Sequence, residues 1–157
     1  MAPVCRVIRF LPSCPPARLL GYPRAAAVAR PTLRPIPFST PCHILETGVF
    51  CINIAGLADR DALNASSAPY AADQSEFEVL GLPMAECETI DCPRLAHAPA
   101  SMECRLTQPI DLEGEGNLMI LARVEAIHLR DDCLTEDGRF DVLSYAPLSR
   151  LGYQDFA

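Results

Sequence analysis

The sequence predicts a mostly β fold with a few short helices, of the small-barrel kind, and three observations carry that reading. Residues 101–112 alternate, with Met102, Cys104 and Leu106 set against Glu103 and Arg105, and every even position from Leu118 to Ala126 is apolar. This is the period of a strand. Glu113-Gly114-Glu115-Gly116-Asn117 lies between the two stretches and reads as a hairpin turn. Val49-Phe50-Cys51-Ile52-Asn53-Ile54 is a third strand, rich in β-branched and aromatic residues and broken by Gly56. The second hairpin strand also carries Met119, Leu121 and Ile127 among the charges of its other face, which suits a barrel or a dimer contact better than a free surface. At 157 residues, half of them apolar, the chain holds one domain with a core and is short for two.

Along the chain, the first segment stands apart. Residues 1–45 contain six Arg and no acid, whereas residues 46–157 contain seven Arg and all 20 acids, so a part of charge +6 precedes one of charge −13. Nine of the 15 prolines lie at or before Pro41. An Arg-rich, acid-poor start fits an organelle transit peptide, a disordered basic arm, or non-native residues read from a shifted frame or misplaced start. A secretory signal does not fit, because Arg9 interrupts the short apolar stretch and Pro12 follows it.

Thr40 and Pro41 read as N-cap and first position of a helix running to Glu46 or Thr47, stopped by Gly48. After the strand, Leu57–Leu63 suits a short helix, and 64–70 a polar loop. Ser75–Leu80 reads as a helical turn ended by Gly81, with Pro83 beyond. Residues 83–100, with three prolines, read as an extended connector that leads into the hairpin. His128 ends the second hairpin strand on its apolar parity. Asp137-Gly138-Arg139 is a tight turn, and Phe140–Leu143 a short strand or helical turn.

Several functions are disfavoured by composition. A net charge of −7 argues against nucleic-acid binding. No apolar run approaches the roughly 18 residues of a spanning helix, so no membrane partner is expected. With no secretory signal, a cytoplasmic location is expected. The eight cysteines are therefore not read as a disulfide framework. Cys87 and Cys92 are the only close pair, and their spacing is not that of a zinc knuckle, so loop thiols are the plainer reading. There is no Gly-x-Ser-x-Gly, no phosphate loop and no dinucleotide fingerprint.

From about residue 40 the order of motifs resembles the flavin reductase-like, FMN-binding split-barrel family. His43–Ile54 is similar to the family's Asn-Ile-x-x-Thr-Gly-x-Phe-x-Val-Asn segment. Asn64–Ala68 with Glu76-Phe77-Glu78 and Gly81-Leu82 resembles its Asn/Ser loop and next helix. Ser101–Leu106 resembles the strand that begins Leu-Glu-Cys-Arg, Val124–His128 the strand that ends in His, and Pro147–Gly152 the closing stretch. The resemblance implies a six-stranded Greek-key split barrel, of which residues 40–157 are the latter part. It also implies a homodimer with FMN near the subunit interface, and electron or hydride transfer between flavin and reduced nicotinamide, NADH or NADPH. A flavin carries its own redox chemistry, so no protein acid or nucleophile is obligatory.

The resemblance also implies site residues, all of them cofactor-binding and none catalytic. Thr40 is placed at a helix start that favours phosphate, though it also suits a simple cap. Asn64 and Ser66 are placed beside the ribityl chain or phosphate, though both favour ordinary turns. His128 resembles the flavin-proximal histidine, against a buried histidine satisfied by backbone. Arg150 and Phe156 would reach the flavin from the closing segment.

This chain departs from the family in four places. The opening barrel strands are not found in residues 1–39. Lys-Asp-Thr falls on Phe38-Ser39-Thr40, Gly-Glu on Ala122-Arg123, and Gly-Gly on Gly152-Tyr153. A segment with no acids and many prolines is not expected to build barrel strands. Residues 1–39 are therefore read as non-native or disordered, in a truncated domain with weakened cofactor binding. The alternative is a non-catalytic dimeric interaction module that kept the fold and lost the flavin.

Overall fold

The computed structural model describes residues 5–9, 39–68, 70, 74–113, 117–152 and 155–156. Its centre is a four-stranded antiparallel sheet in the order β1-β6-β5-β2, from β1 (Cys5–Arg9), β2 (Val49–Asn53), β5 (Ala100–Asp111) and β6 (Leu118–Arg130). Two hairpins flank it: β3 (Met84–Glu86) with β4 (Pro93–Leu95), and β7 (Arg150–Gly152) with β8 (Asp155–Phe156). The fold is mostly β with short helices, as the alternation predicts. Among the described residues the sheet does not close, so the six-stranded barrel is present only in part.

Helix α1 (Ser39–Thr47) opens the main body. It starts two residues before the expected Pro41, which puts Thr40 inside the first turn rather than at the cap. Gly48 stops it at a φ of 72°, a left-handed conformation that costs glycine little, and its N–H closes on the Ile44 carbonyl at 2.9 Å. Strand β2 follows at once and pairs with β5 from Val49↔Arg105 to Asn53↔Ser101.

A 3-10 turn at Leu57–Asp59 then runs into α2 (Arg60–Ala65), so Asn64 belongs to a helix rather than to the expected loop. Helix α3 (Glu76–Val79) is the expected single turn, with Gly81 beyond it at φ 64°. The stretch expected to be an extended connector folds back on itself as the β3–β4 hairpin, with Met84 opposite Leu95. Its prolines are compatible with this because Pro93 opens β4, where a strand tolerates a missing N–H.

A strand before residue 40 departs from the expectation. Cys5–Arg9 is a proline-free run with Val7 and Ile8, and it pairs with β6 from Cys5↔Arg130 to Arg9↔Ala126. It sits at the sheet edge, where a short strand needs only one partner.

Strands β5 and β6 make the longest ladder, broken by two irregularities, between Glu103 and Cys104 and between Leu106 and Gln108. Register leaves Glu125 and Thr107 without direct opposites, as in β-bulges. The Thr107 hydroxyl donates to the Leu121 carbonyl at 2.9 Å. Inside the bulges β5 is covered on both faces: Ala100, Ser101, Glu103 and Cys104 are all buried. Beyond them Pro109 is tolerated because β2 has already ended, leaving that side of β5 an edge.

Candidate functional site

The most ordered polar cluster is built on the inner half of the long ladder, around Glu103. Its side chain is fully buried. The alternation predicts that it faces solvent, and the connector that crosses this face is what buries it. One carboxylate oxygen accepts from the Glu88 N–H at 2.7 Å and from His128 Nε2. The other accepts from the Thr89 N–H at 2.7 Å and from the Thr89 hydroxyl. Burial alone would raise the Glu103 pKa. It is outweighed by the Thr89 hydroxyl, the Glu88 N–H, His128 and the Thr89 N–H, which together bring the group down to about 2. Glu103 is therefore an ionised, fully satisfied strut that ties residues 88–89 and His128 to β5.

His128 is 3% exposed, and its Nε2 is committed to that carboxylate, so it is held by a side chain rather than by backbone. Among the described residues its buried Nδ1 has no partner. Sequence reasoning missed the Glu103–His128–Thr89 arrangement because the residues lie 14 and 25 positions apart. The one available signal was a carboxylate set between the apolar Met102 and Cys104.

Asn53 is a second clamp. Its Oδ1 accepts from the Leu95 N–H at 3.0 Å and from the Ser101 hydroxyl at 2.8 Å. Beside it, His97 Nε2 donates to Asp59 Oδ1 at 2.7 Å, while Asp59 Oδ2 accepts from the Gly56 N–H at 2.9 Å. Gly56 is buried at a close approach, where an added Cβ would stand 2.5 Å from the Tyr145 carbonyl oxygen.

Two cavities adjoin these clamps. One of about 450 Å³ is lined by the β3–β4 hairpin, including Cys87, Ile90 and Cys92. The other, of about 290 Å³, is lined by residues that include Asn53, Asp59, Ser66, Glu76 and Phe77.

Of the six residues expected to hold a flavin, Arg150 and Phe156 are direct partners across the β7–β8 hairpin, whereas Asn64, Ser66 and His128 are not gathered at one of these features. Ser66 lines the smaller cavity, but its hydroxyl is turned to the Leu63 carbonyl at 2.8 Å, closing the end of α2. Asn64 is exposed, and neither cavity includes it or His128. The backbones of Thr40, Arg150 and Phe156 lie in α1, β7 and β8, and their side chains are outside the described residues. Among the described residues the smaller cavity offers Asp59 and Glu76 and no Arg, a lining that does not favour a phosphate. The described residues thus do not fit FMN as a complete cradle. Among them no group of three or more His, Cys, Asp or Glu is placed to hold a metal ion. No described helix is long and apolar enough to cross a membrane.

Comparison with known proteins gives this arrangement its family. Residues 39–148 match the flavin reductase like domain. The chain belongs to that family. An uncharacterized protein of Halalkalibacterium halodurans is 30% identical over 124 residues, which is 76% of this chain and 59% of the relative. Among solved structures, the nitrilotriacetate monooxygenase component B from Bacillus cereus superposes with a TM-score of 0.69 at 28% identity, covering 75% of this chain and 60% of that one. A flavin reductase candidate with a split barrel domain from Shewanella frigidimarina gives 0.67 at 21% identity, covering 74% and 61%, a likeness of fold alone. The flavin reductase-like chain thus spans about three-fifths of the length of these relatives. The matched region starts at Ser39, where the structure begins α1.

Proposed function

We propose that this flavin reductase-like chain is an FMN-binding oxidoreductase domain with weakened cofactor binding, working between reduced nicotinamide and flavin. The family match over residues 39–148 carries the reading. The weakened binding is supported by the dispersal of Ser66, Asn64 and His128 and by the acidic lining of the smaller cavity. Thr40 belongs to this proposal as a phosphate contact, because a helix start favours an anion. Arg150 and Phe156 belong to the same proposal through the closing segment.

Titration of FMN against the full chain, followed by flavin fluorescence, tests this. Quenching with a midpoint above the micromolar range, together with slow FMN-dependent oxidation of NADH or NADPH, is the expected result. No quenching at any accessible concentration overturns it.

Residues 40–157 are taken as the partial split-barrel domain, and residues 1–39 as a non-native or disordered segment, of which the described stretch Cys5–Arg9 lies at the sheet edge as β1. The change of charge near residue 45 supports this. Reading the upstream nucleotides in all frames is the check: family strands in another frame ahead of codon 40 agree with it, and a continuous in-frame family sequence refutes it.

A second reading, a dimeric interaction module, is favoured by one feature. Beyond the bulges, β5 and β6 continue as a two-stranded arm that exposes Leu112, Met119 and Leu121. An apolar arm of this kind suits contact with a second copy. Light scattering showing a dimer with no bound yellow chromophore would favour this reading over the first.

A further inference from the structure

Cys51 of β2 is brought near Cys87 and Cys92, a pair far from it in sequence, over the β2–β5 face. Cys51 stands directly opposite Glu103 in the ladder, so the two side chains share a face. The Glu103 carboxylate holds the N–H groups of Glu88 and Thr89, which brings the preceding residue, Cys87, onto the same spot. The two thiols are therefore close electrostatic neighbours, and Cys92 lies near Cys51 as well. Asn53 and the Leu95 N–H pin the other end of the hairpin, so its position does not depend on the thiols. Cys87 and Cys92 also line the 450 Å³ cavity, which gives a small reagent access to one member of the pair. All three are free thiols, whereas Cys104 and Cys133 are buried elsewhere.

We propose that Cys51 and Cys87 are a redox pair that closes to a disulfide when the protein meets a hydroperoxide, locking the β3–β4 hairpin onto β2. The Cys87 thiolate attacks the terminal oxygen of the hydroperoxide. The O–O bond breaks, an alcohol (or water, from hydrogen peroxide) leaves with the thiol proton, and Cys87 becomes a sulfenic acid. The Cys51 sulfur then attacks the Cys87 sulfur, the S–O bond breaks, and hydroxide leaves with the Cys51 proton as water. Two thiols lose two electrons, and the hydroperoxide gains them.

The surroundings set the pace. Burial pushes the Cys87 thiol up to about 11, with the Glu103 carboxylate adding to the rise and Arg94 opposing it. Cys51 contributes a hydrogen bond that lowers it, and Cys92 raises it further. Burial raises Cys51 further still. The reactive thiolate is therefore scarce at neutral pH, and closure is slow there. Its rate rises about tenfold per pH unit between about 7 and 9, because only the thiolate attacks.

The test treats the full chain with hydrogen peroxide at pH 7 and pH 9, then denatures and alkylates it. A glutamyl endopeptidase cuts after Glu46, Glu86 and Glu88, separating Cys51 from Cys42 and Cys87 from Cys92. Mass spectrometry should find the Cys51 peptide joined to the Cys87 peptide with two hydrogens lost, more at pH 9, and released by dithiothreitol. Cys92→Ser should keep the link. Cys51→Ser should leave a Cys87 sulfenic acid that dimedone traps. Recovery of all three cysteines as alkylated thiols from the peroxide-treated wild type would overturn the proposal. A link from Cys92 to either partner as the main product would also overturn it.

Discussion

Strands β5 and β6 form one continuous ladder, yet its two halves have opposite characters. The inner half, 100–105 with 123–130, is flanked in the sheet by β1 and β2 and crossed by the β3–β4 hairpin, and it buries Ser101, Glu103, Cys104, Ala126 and His128. Among the described residues the outer half pairs only with itself, and it exposes Met119 and Leu121 at 40% and 42%. The bulge at Thr107 marks the border. The backbone hydrogen bonds are of the same kind on both sides. The difference therefore comes from what lies across the faces, and stability should be concentrated where a carboxylate is fully satisfied rather than where apolar residues are most numerous.

The comparison breaks most sharply at Glu103. Glu103→Ala leaves His128 Nε2, two N–H groups and the Thr89 hydroxyl unpaired in the interior. The loss should be about 3–5 kcal/mol, read as a lower urea midpoint. A loss under about 1 kcal/mol would show that water replaces the carboxylate freely.

Acid should probe the same strut. Its folded pKa of about 2 lies below the unfolded carboxylate value, so it adds stability that is complete above about pH 4.5 and falls away as pH drops toward 2. The acid-linked loss should be on the order of 3 kcal/mol in the wild type. In Glu103→Gln this component should be missing from urea midpoints measured across that window, and an unchanged acid slope would contradict the assignment.

Gly56 tests the seam between the 3-10 turn and the closing segment. Gly56→Ala drives a Cβ against the Tyr145 carbonyl, where the backbone must move. It should cost about 1–3 kcal/mol, seen as a lower Tm.

The outer arm should give the smallest effect on folding. Leu121→Ser should change stability by no more than about 0.5 kcal/mol. If the arm is the dimer contact, the same substitution should raise the monomer fraction in light scattering. A large folding defect would mean that the arm is covered as the inner half is.

Much of the fold is legible in the residues. The period-2 pattern gives β5 and β6, the β-branched run gives β2, and Gly48, Gly81 and Gly138 each mark a turn at positive φ. Less of the site is legible. Cys87 was paired with Cys92 by spacing, whereas the fold sets it against Cys51. The connector 83–100 was expected to run past the sheet, whereas it folds into the hairpin that buries Glu103. The sequence pattern makes 64–70 a loop, whereas α2 runs on through Asn64 and the loop begins at Ser66, whose hydroxyl closes the helix end.

Which segments are strands, where they turn, and the order of motifs that places the chain in the flavin reductase like family all follow from the residues in order, because periodicity and glycine conformation are local properties. That Glu103 is interior, that His128 serves it, and that Cys51 lies near Cys87 follow from the folded arrangement. Each of those depends on which segment crosses a given sheet face, and that is set by free energy summed over contacts between distant residues, which no local pattern encodes.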